Sequence, residues 1–157
     1  MIDPDYVPHN KVSGANYKFG KKEEKLHIEI LTRAGYNIRE ATSYEDRYEK
    51  VDYWMVDKHG KEYGVDAKVA SPVSGDFCIS CTRDNRLGDR VSYFSFRIDN
   101  SLHFVRRDDI QKKLSAGHYI VRPSHQKTSY GKEATNSYFY LNPNQVLEMS
   151  CKQVHIQ

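Results

Sequence analysis

Two aspartates and a lysine, Asp52, Asp66 and Lys68, have the types and spacing to act together on a phosphate or other anion. Asp66 and Lys68 stand two apart in Tyr63 to Val69, a segment rich in strand formers. Side chains alternate along a strand, so this pair shares one face while Val65, Ala67 and Val69 share the other. In a second such segment, Val51 to Val56, the apolar face carries Val51, Tyr53 and Met55, which leaves Asp52 and Trp54 on the opposite one.

The turn between the segments decides whether the two aspartates meet. A two-residue loop at His59 and Gly60 pairs Asp52 with Ala67 and puts the carboxylates on opposite faces. A three-residue loop, Lys58 to Gly60, pairs Asp52 with Asp66 and gives Gly60 the left-handed position of the accompanying bulge. The odd loop also aligns the apolar faces of both strands, and it is the one expected. Two carboxylates directly opposite repel each other unless a positive charge lies between them. Magnesium or manganese, which prefer carboxylate, water and phosphate oxygens, would supply it, and Lys68 would then position an attacking water and offset charge in the transition state.

The elements around this hairpin are readable from periodicity. Lys21 to Ala34 has helical spacing, with Glu23, Leu26, His27, Ile30 and Ala34 on one stripe and Gly35 at the stop. A short strand at Tyr36 to Glu40 and a polar loop, Ala41 to Glu49, lead into the hairpin. Further strands are expected at Phe77 to Cys81, Val91 to Ile98, Leu102 to Val105, His118 to Val121 and Tyr138 to Leu141. Short helices are expected at Asp108 to Leu114 and Pro143 to Met149, and a long polar loop at Arg122 to Ser137. The fold class is α/β, a central mixed β-sheet flanked by helices. It forms one domain over residues 16–157, preceded by an irregular arm over residues 1–15 that contains Pro4, Pro8 and Gly14.

In this order of elements, Glu49-Lys50-Val51-Asp52 on one strand and Val65-Asp66-Ala67-Lys68 on the next resemble the PD-(D/E)xK nuclease superfamily, which includes restriction endonucleases and Holliday junction resolvases. The likeness covers roughly residues 21 to 105, with Val51 where the signature often has proline. It implies a restriction-endonuclease-like fold and magnesium-dependent hydrolysis of DNA, with the metal on Asp52, Asp66, the carbonyl of Ala67 and a glutamate of the first helix. Glu23, on the buried stripe, is the expected glutamate, because Glu24 is turned about 100° away. The likeness also implies 5′-phosphate products and a homodimer. Rival readings are a ribonuclease with the same site and a nucleic-acid-binding module without catalysis.

A net charge of +3 is too small to identify a polyanionic partner, so the distribution must. Lys21 and Lys22, Arg83 and Arg86, and Arg122, Lys127 and Lys132 form three basic groups able to follow a phosphate backbone. Trp54 is expected to pack beneath the first helix, and His27 to be a packed histidine. Cys78, Cys81 and Cys151 cannot all pair within one chain, and Cys78-x-x-Cys81 lacks the further ligands of a zinc site, so buried strand cysteines in a reducing compartment are expected. No apolar run reaches membrane-span length and Asp3 and Asp5 sit where a signal peptide would be basic, which points to an intracellular protein with no membrane partner.

Overall fold

The computed structural model describes residues 14–124 and 136–155. The chain is a mixed α/β structure built on a six-stranded sheet. In chain order its elements are α1 (Gly14–Arg33), β1 (Asn37–Glu40), α2 (Ser43–Tyr48), β2 (Tyr53–Val56), β3 (Glu62–Lys68), β4 (Phe77–Thr82), β5 (Val91–Ile98) and β6 (Ser101–Arg106). After these come α3 (Arg107–Ser115), β7 (Arg122–Pro123), β8 (Asn136–Leu141), α4 (Pro143–Met149) and β9 (Lys152–His155).

The central sheet runs β1-β2-β3-β5-β6-β9, with β3 and β5 parallel and every other pair antiparallel. A parallel pair needs a crossover, and here β4 supplies it by leaving the central sheet to join a second, three-stranded sheet, β4-β8-β7. One face of the central sheet lies under α1, where Ile30 and Leu31 pack with Tyr53, Val65, Leu102 and Phe104. The other face, with Phe94 and Phe96, is covered by Phe77, Ile79, Phe139 and Leu141 of the second sheet and by Ile110 and Leu114 of α3. Apolar burial on both faces explains why β6 is an almost continuous buried run and why β5 is buried at Phe94, Ser95 and Phe96 in succession.

The hairpin has the odd loop. Tyr53 faces Val65 and Trp54 faces Gly64, and the Asp57 amide donates to Lys61 at 2.9 Å across Lys58, His59 and Gly60. Gly60 takes φ +81°, the left-handed conformation that glycine adopts without a Cβ penalty.

Several expectations are corrected. Gly14 and Ala15, assigned to the arm, are helical, so α1 starts before Lys21; residues 1–13 lie outside the described residues. The loop from Ala41 to Glu49 contains α2, capped at Thr42 by a reciprocal box with Glu45. His118 to Val121 is not a strand; Arg122–Pro123 pairs with β8 instead, and β9 was unforeseen. Trp54 packs on the face away from α1, between the guanidinium groups of Arg39 and Arg90, 5.1 and 5.2 Å from its ring centroid. Cys81 is buried as expected but Cys78 is exposed, because residues three apart on a strand point to opposite faces, and all three thiols are free. No described helix is long and apolar enough to cross a membrane.

Candidate active site

The ladder of β2 and β3 ends at Tyr53 and Val65, and at the bend just before β2 the Asp52 amide donates to the same Val65 carbonyl at 2.9 Å. The alternation breaks there, since Val51 packs with Trp54 rather than with Tyr53, and Asp52 comes close to Asp66 from the strand entry, not as its cross-strand partner. Its Oδ2 also accepts the Ala67 amide at 2.8 Å, which fixes the carboxylate against the strand that carries Asp66 and Lys68. These residues line a cleft of about 330 Å³ that also takes in Ala67, Glu24 and Lys21 of α1, Asp46 of α2, and Lys50. Lys50 holds φ +63°, a conformation non-glycine residues seldom adopt, immediately before the Val51-Asp52 step.

Carboxylate oxygens of Glu24, Asp46 and Asp52 can lie within 4.8 Å of one another. Ligands about 2.1 Å from a shared magnesium ion would be roughly 3 to 4 Å apart, so the spacing suits a hard cation. A positive charge is already drawn to the cluster: the Lys21 ammonium is 2.9 Å from Asp46 and 3.5 Å from Glu24. Burial, together with the charges of Asp66 and Glu24, pushes the Asp52 carboxyl well above the usual carboxylate range. Burial likewise raises Glu24 to about 7, with Asp46 and Asp66 adding to the rise and Lys21 opposing it. Burial alone would lower Lys68, but Asp66, 3.3 Å away, and Asp52 outweigh it and keep the ammonium charged. The site is thus short of positive charge.

Glu23 does not reach this cleft. It accepts two hydrogen bonds from Arg97 Nε, at 2.9 and 3.2 Å, and one from Nη2 at 2.5 Å, and it lies 3.6 Å from His27 Nε2. Burial would raise its carboxyl, yet the nearby His27 and the bonds from Arg97 prevail and hold it at about 2. The Tyr53 hydroxyl donates to Ser95 Oγ at 2.9 Å, and Ser95 Oγ is 2.8 Å from His27 Nδ1. A serine, histidine and glutamate in contact are the parts of a nucleophilic triad, but Ser95 and His27 both have 0% exposure, so the chain is structural. The apolar stripe thus located the residues that dock α1. The cleft lies off that stripe, on the side Glu24 faces.

In the sequence Glu24 was set aside in favour of Glu23, Lys50 was given no role, and Asp46 went unnoticed. Only the Thr42–Glu45 capping signature hinted that a helix would bring Asp46 close. Among the basic groups, Lys21 enters the cleft, while Lys22, Arg83, Arg86 and Arg122 are exposed and Lys127 and Lys132 lie outside the described residues. The loop carrying Arg83 and Arg86 is pinned by Gln111, which accepts from the Leu87 amide and donates to the Asn85 carbonyl, both at 2.8 Å.

Exchange of the two neighbouring glutamates separates docking from chemistry. Glu23→Gln is expected to lower stability by about 2 kcal/mol at neutral pH, because Arg97 loses its ionised partner in a largely buried contact. With the folded carboxyl at about 2 against an ordinary 4.5, that stabilisation is complete above pH 4.5 and disappears as pH falls towards 2. Thermal melts should therefore show a deficit at pH 7 that narrows with acidification. Glu24→Gln should melt no lower than the wild type at either pH.

No protein-family model and no curated protein matches the chain. Among solved structures it is similar to a bacterial homing endonuclease, I-Ssp6803I, at 13% sequence identity, with 85% of this chain and 86% of that chain covered and a TM-score of 0.45.

Proposed function

We propose that the protein is a divalent-metal-dependent nuclease of the PD-(D/E)xK type that hydrolyses phosphodiester bonds in DNA, formed by one restriction-endonuclease-like domain over residues 16–157. The observation that carries this reading is the anchoring of Asp52, whose amide bonds Val65 and whose Oδ2 accepts the Ala67 amide, beside Asp66 and Lys68 in a cleft where four carboxylates meet three lysines. Asp52 and Asp66 would hold magnesium or manganese with the Ala67 carbonyl, Glu24 would take the part the sequence suggested for Glu23, and Asp46, whose carboxylate lies within 4.8 Å of those of Glu24 and Asp52, would be a further ligand. When bound, the metal supplies Lewis-acid activation of water and phosphate.

The chain's own contribution is position and charge. The Ala67 amide holds the Asp52 carboxylate in place from one side. Lys68, a charged donor anchored at 3.3 Å by Asp66, orients the attacking water and offsets negative charge on the phosphate. Lys50 and Lys21 draw the phosphate backbone towards the cleft.

The test is cleavage of supercoiled plasmid, linear duplex, single strand and four-way junction, and of matched RNA, with magnesium, manganese or chelator. Wild type should cut DNA only with metal, and Lys68→Ala should slow cutting by a factor of about 100 or more, in keeping with loss of one preorganised charge. Binding of DNA with no cutting under any condition would point to the non-catalytic module, and cutting confined to RNA to the ribonuclease.

A further inference from the structure

The second sheet has an outward face that the core does not use and that meets the catalytic cleft only at Ser80. Along β4, residues alternate buried and exposed, so Phe77, Ile79 and Cys81 enter the core while Cys78, Ser80 and Thr82 face out. The register pairs these with Tyr140, Tyr138 and Asn136 of β8. Arg122 of β7 is opposite Tyr138 and exposed, so one cross-strand row reads Arg122, Tyr138, Ser80. Ser80 borders both the groove along this face and the catalytic cleft. The face is therefore continuous with the cleft.

Its chemistry is that of a reader of polar edges. It presents hydroxyls, phenols, an amide and a guanidinium, and β4, β7 and β8 contain no acidic residue. Tyr140 is 48% exposed and meets Tyr138 edge to face at 5.7 Å, so the phenols form a stiff pair. Beneath them Phe77, Phe139 and Leu141 are fully buried, and Phe77 packs edge to face on Phe96 of the central sheet at 4.8 Å. This is a rigid platform, with its outward polar groups set by strand register.

The dimensions select the partner. β4 and β8 pair over six residues, about 20 Å, and β7 flanks β8 over only two of them, so most of that length is a two-stranded ribbon. The major groove of B-form DNA is about 12 Å wide and admits such a ribbon, whereas the A-form groove of duplex RNA is too narrow. We infer that the outward face of β4 and β8 enters the major groove of duplex DNA beside the cleavage site and reads base edges there. This rests on the nuclease reading and names the surface that would give it sequence preference.

The free thiols provide the test. Cys78 lies on this face, Cys151 is exposed next to β9 of the central sheet, and Cys81 is buried. Wild-type protein would be bound to a duplex in calcium, followed by fluorescence anisotropy, and then labelled with a maleimide. Labelling of Cys78 should slow at least tenfold at saturation, with Cys151 unchanged within twofold and no protection by a matched RNA duplex. Selection from a random duplex pool should yield a preferred sequence, and Tyr138→Ala with Tyr140→Ala should reduce its advantage over a scrambled duplex at least tenfold. Unslowed Cys78 labelling in a bound complex, a preference intact in the double variant, or no preference in wild type would each overturn this surface while leaving the nuclease in place. Absence of both DNA binding and cutting would overturn the nuclease reading and this inference with it.

Discussion

Asp52→Asn is expected to abolish DNA cleavage, by a factor of about 1,000 or more, and at the same time to make the metal-free protein more stable. The carboxylate lies close to Asp66, Glu24 and Asp46, in a cleft where burial and these neighbours press it towards its neutral form. An amide of the same shape keeps the acceptor for the Ala67 amide, now at 2.8 Å, and removes the like-charge repulsion. Relief of about 1 kcal/mol corresponds to roughly 2 to 4 °C for a chain of this size. In chelator the variant should therefore melt above wild type. Added magnesium or manganese should raise the wild-type midpoint by linkage and the variant's much less. Undiminished cutting would remove Asp52 from the mechanism; a lower metal-free midpoint would show that these carboxylates do not strain the fold.

Gly64→Ala is expected to have the largest effect on folding. Gly64 lies in β3 where the parallel pairing to β5 shifts register, and a Cβ there would lie within 3.0 Å of the Arg90 carbonyl oxygen and 2.9 Å from Val51 Cγ2. Relief requires the start of β5 or the strand entry at Val51 to move, and both are main-chain segments that hold the cleft in shape. Overpacking against backbone costs about 3 kcal/mol or more, a fall of roughly 6 to 12 °C in midpoint. Cleavage should fall with it, because Asp52 follows Val51 directly. Urea unfolding that gives a wild-type midpoint would mean that β5 can slide aside at little cost.

The sequence disclosed the hairpin because its information is local. Gly60 and the alternation of Tyr53 and Met55 against Val65 and Ala67 leave only one loop length that satisfies both faces, but Val51, expected beside Tyr53, packs with Trp54 because the strand breaks at Asp52. The helix stripe was equally local and marked the residues that dock α1, but it favoured Glu23 because burial was taken as nearness to the site. Buried polar residues on a docking stripe find partners in the interface, and Glu23 found Arg97, 74 positions away. Glu24 and Asp46 converge only once α1, α2 and the hairpin are packed together. The second sheet was hidden for the same reason, since Phe77 and Leu141 pair across a sequence separation that no periodicity reveals. Trp54 was misplaced because even and odd faces of the hairpin are both covered, one by α1 and one by the second sheet.

The buried polar chain in which Tyr53, Ser95 and His27 are hydrogen-bonded and His27 Nε2 lies 3.6 Å from Glu23, itself bonded to Arg97, acts as a detent for α1. Aliphatic side chains such as Ile30 and Leu31 could exchange one set of apolar neighbours for another if the helix slid by a turn, about 5.4 Å, at modest cost. The polar chain cannot, since every displaced register would leave a buried imidazole, hydroxyl and carboxylate without partners. The helix therefore has one seat on the sheet, and Glu24 inherits its address in the cleft from its neighbour's attachment to Arg97.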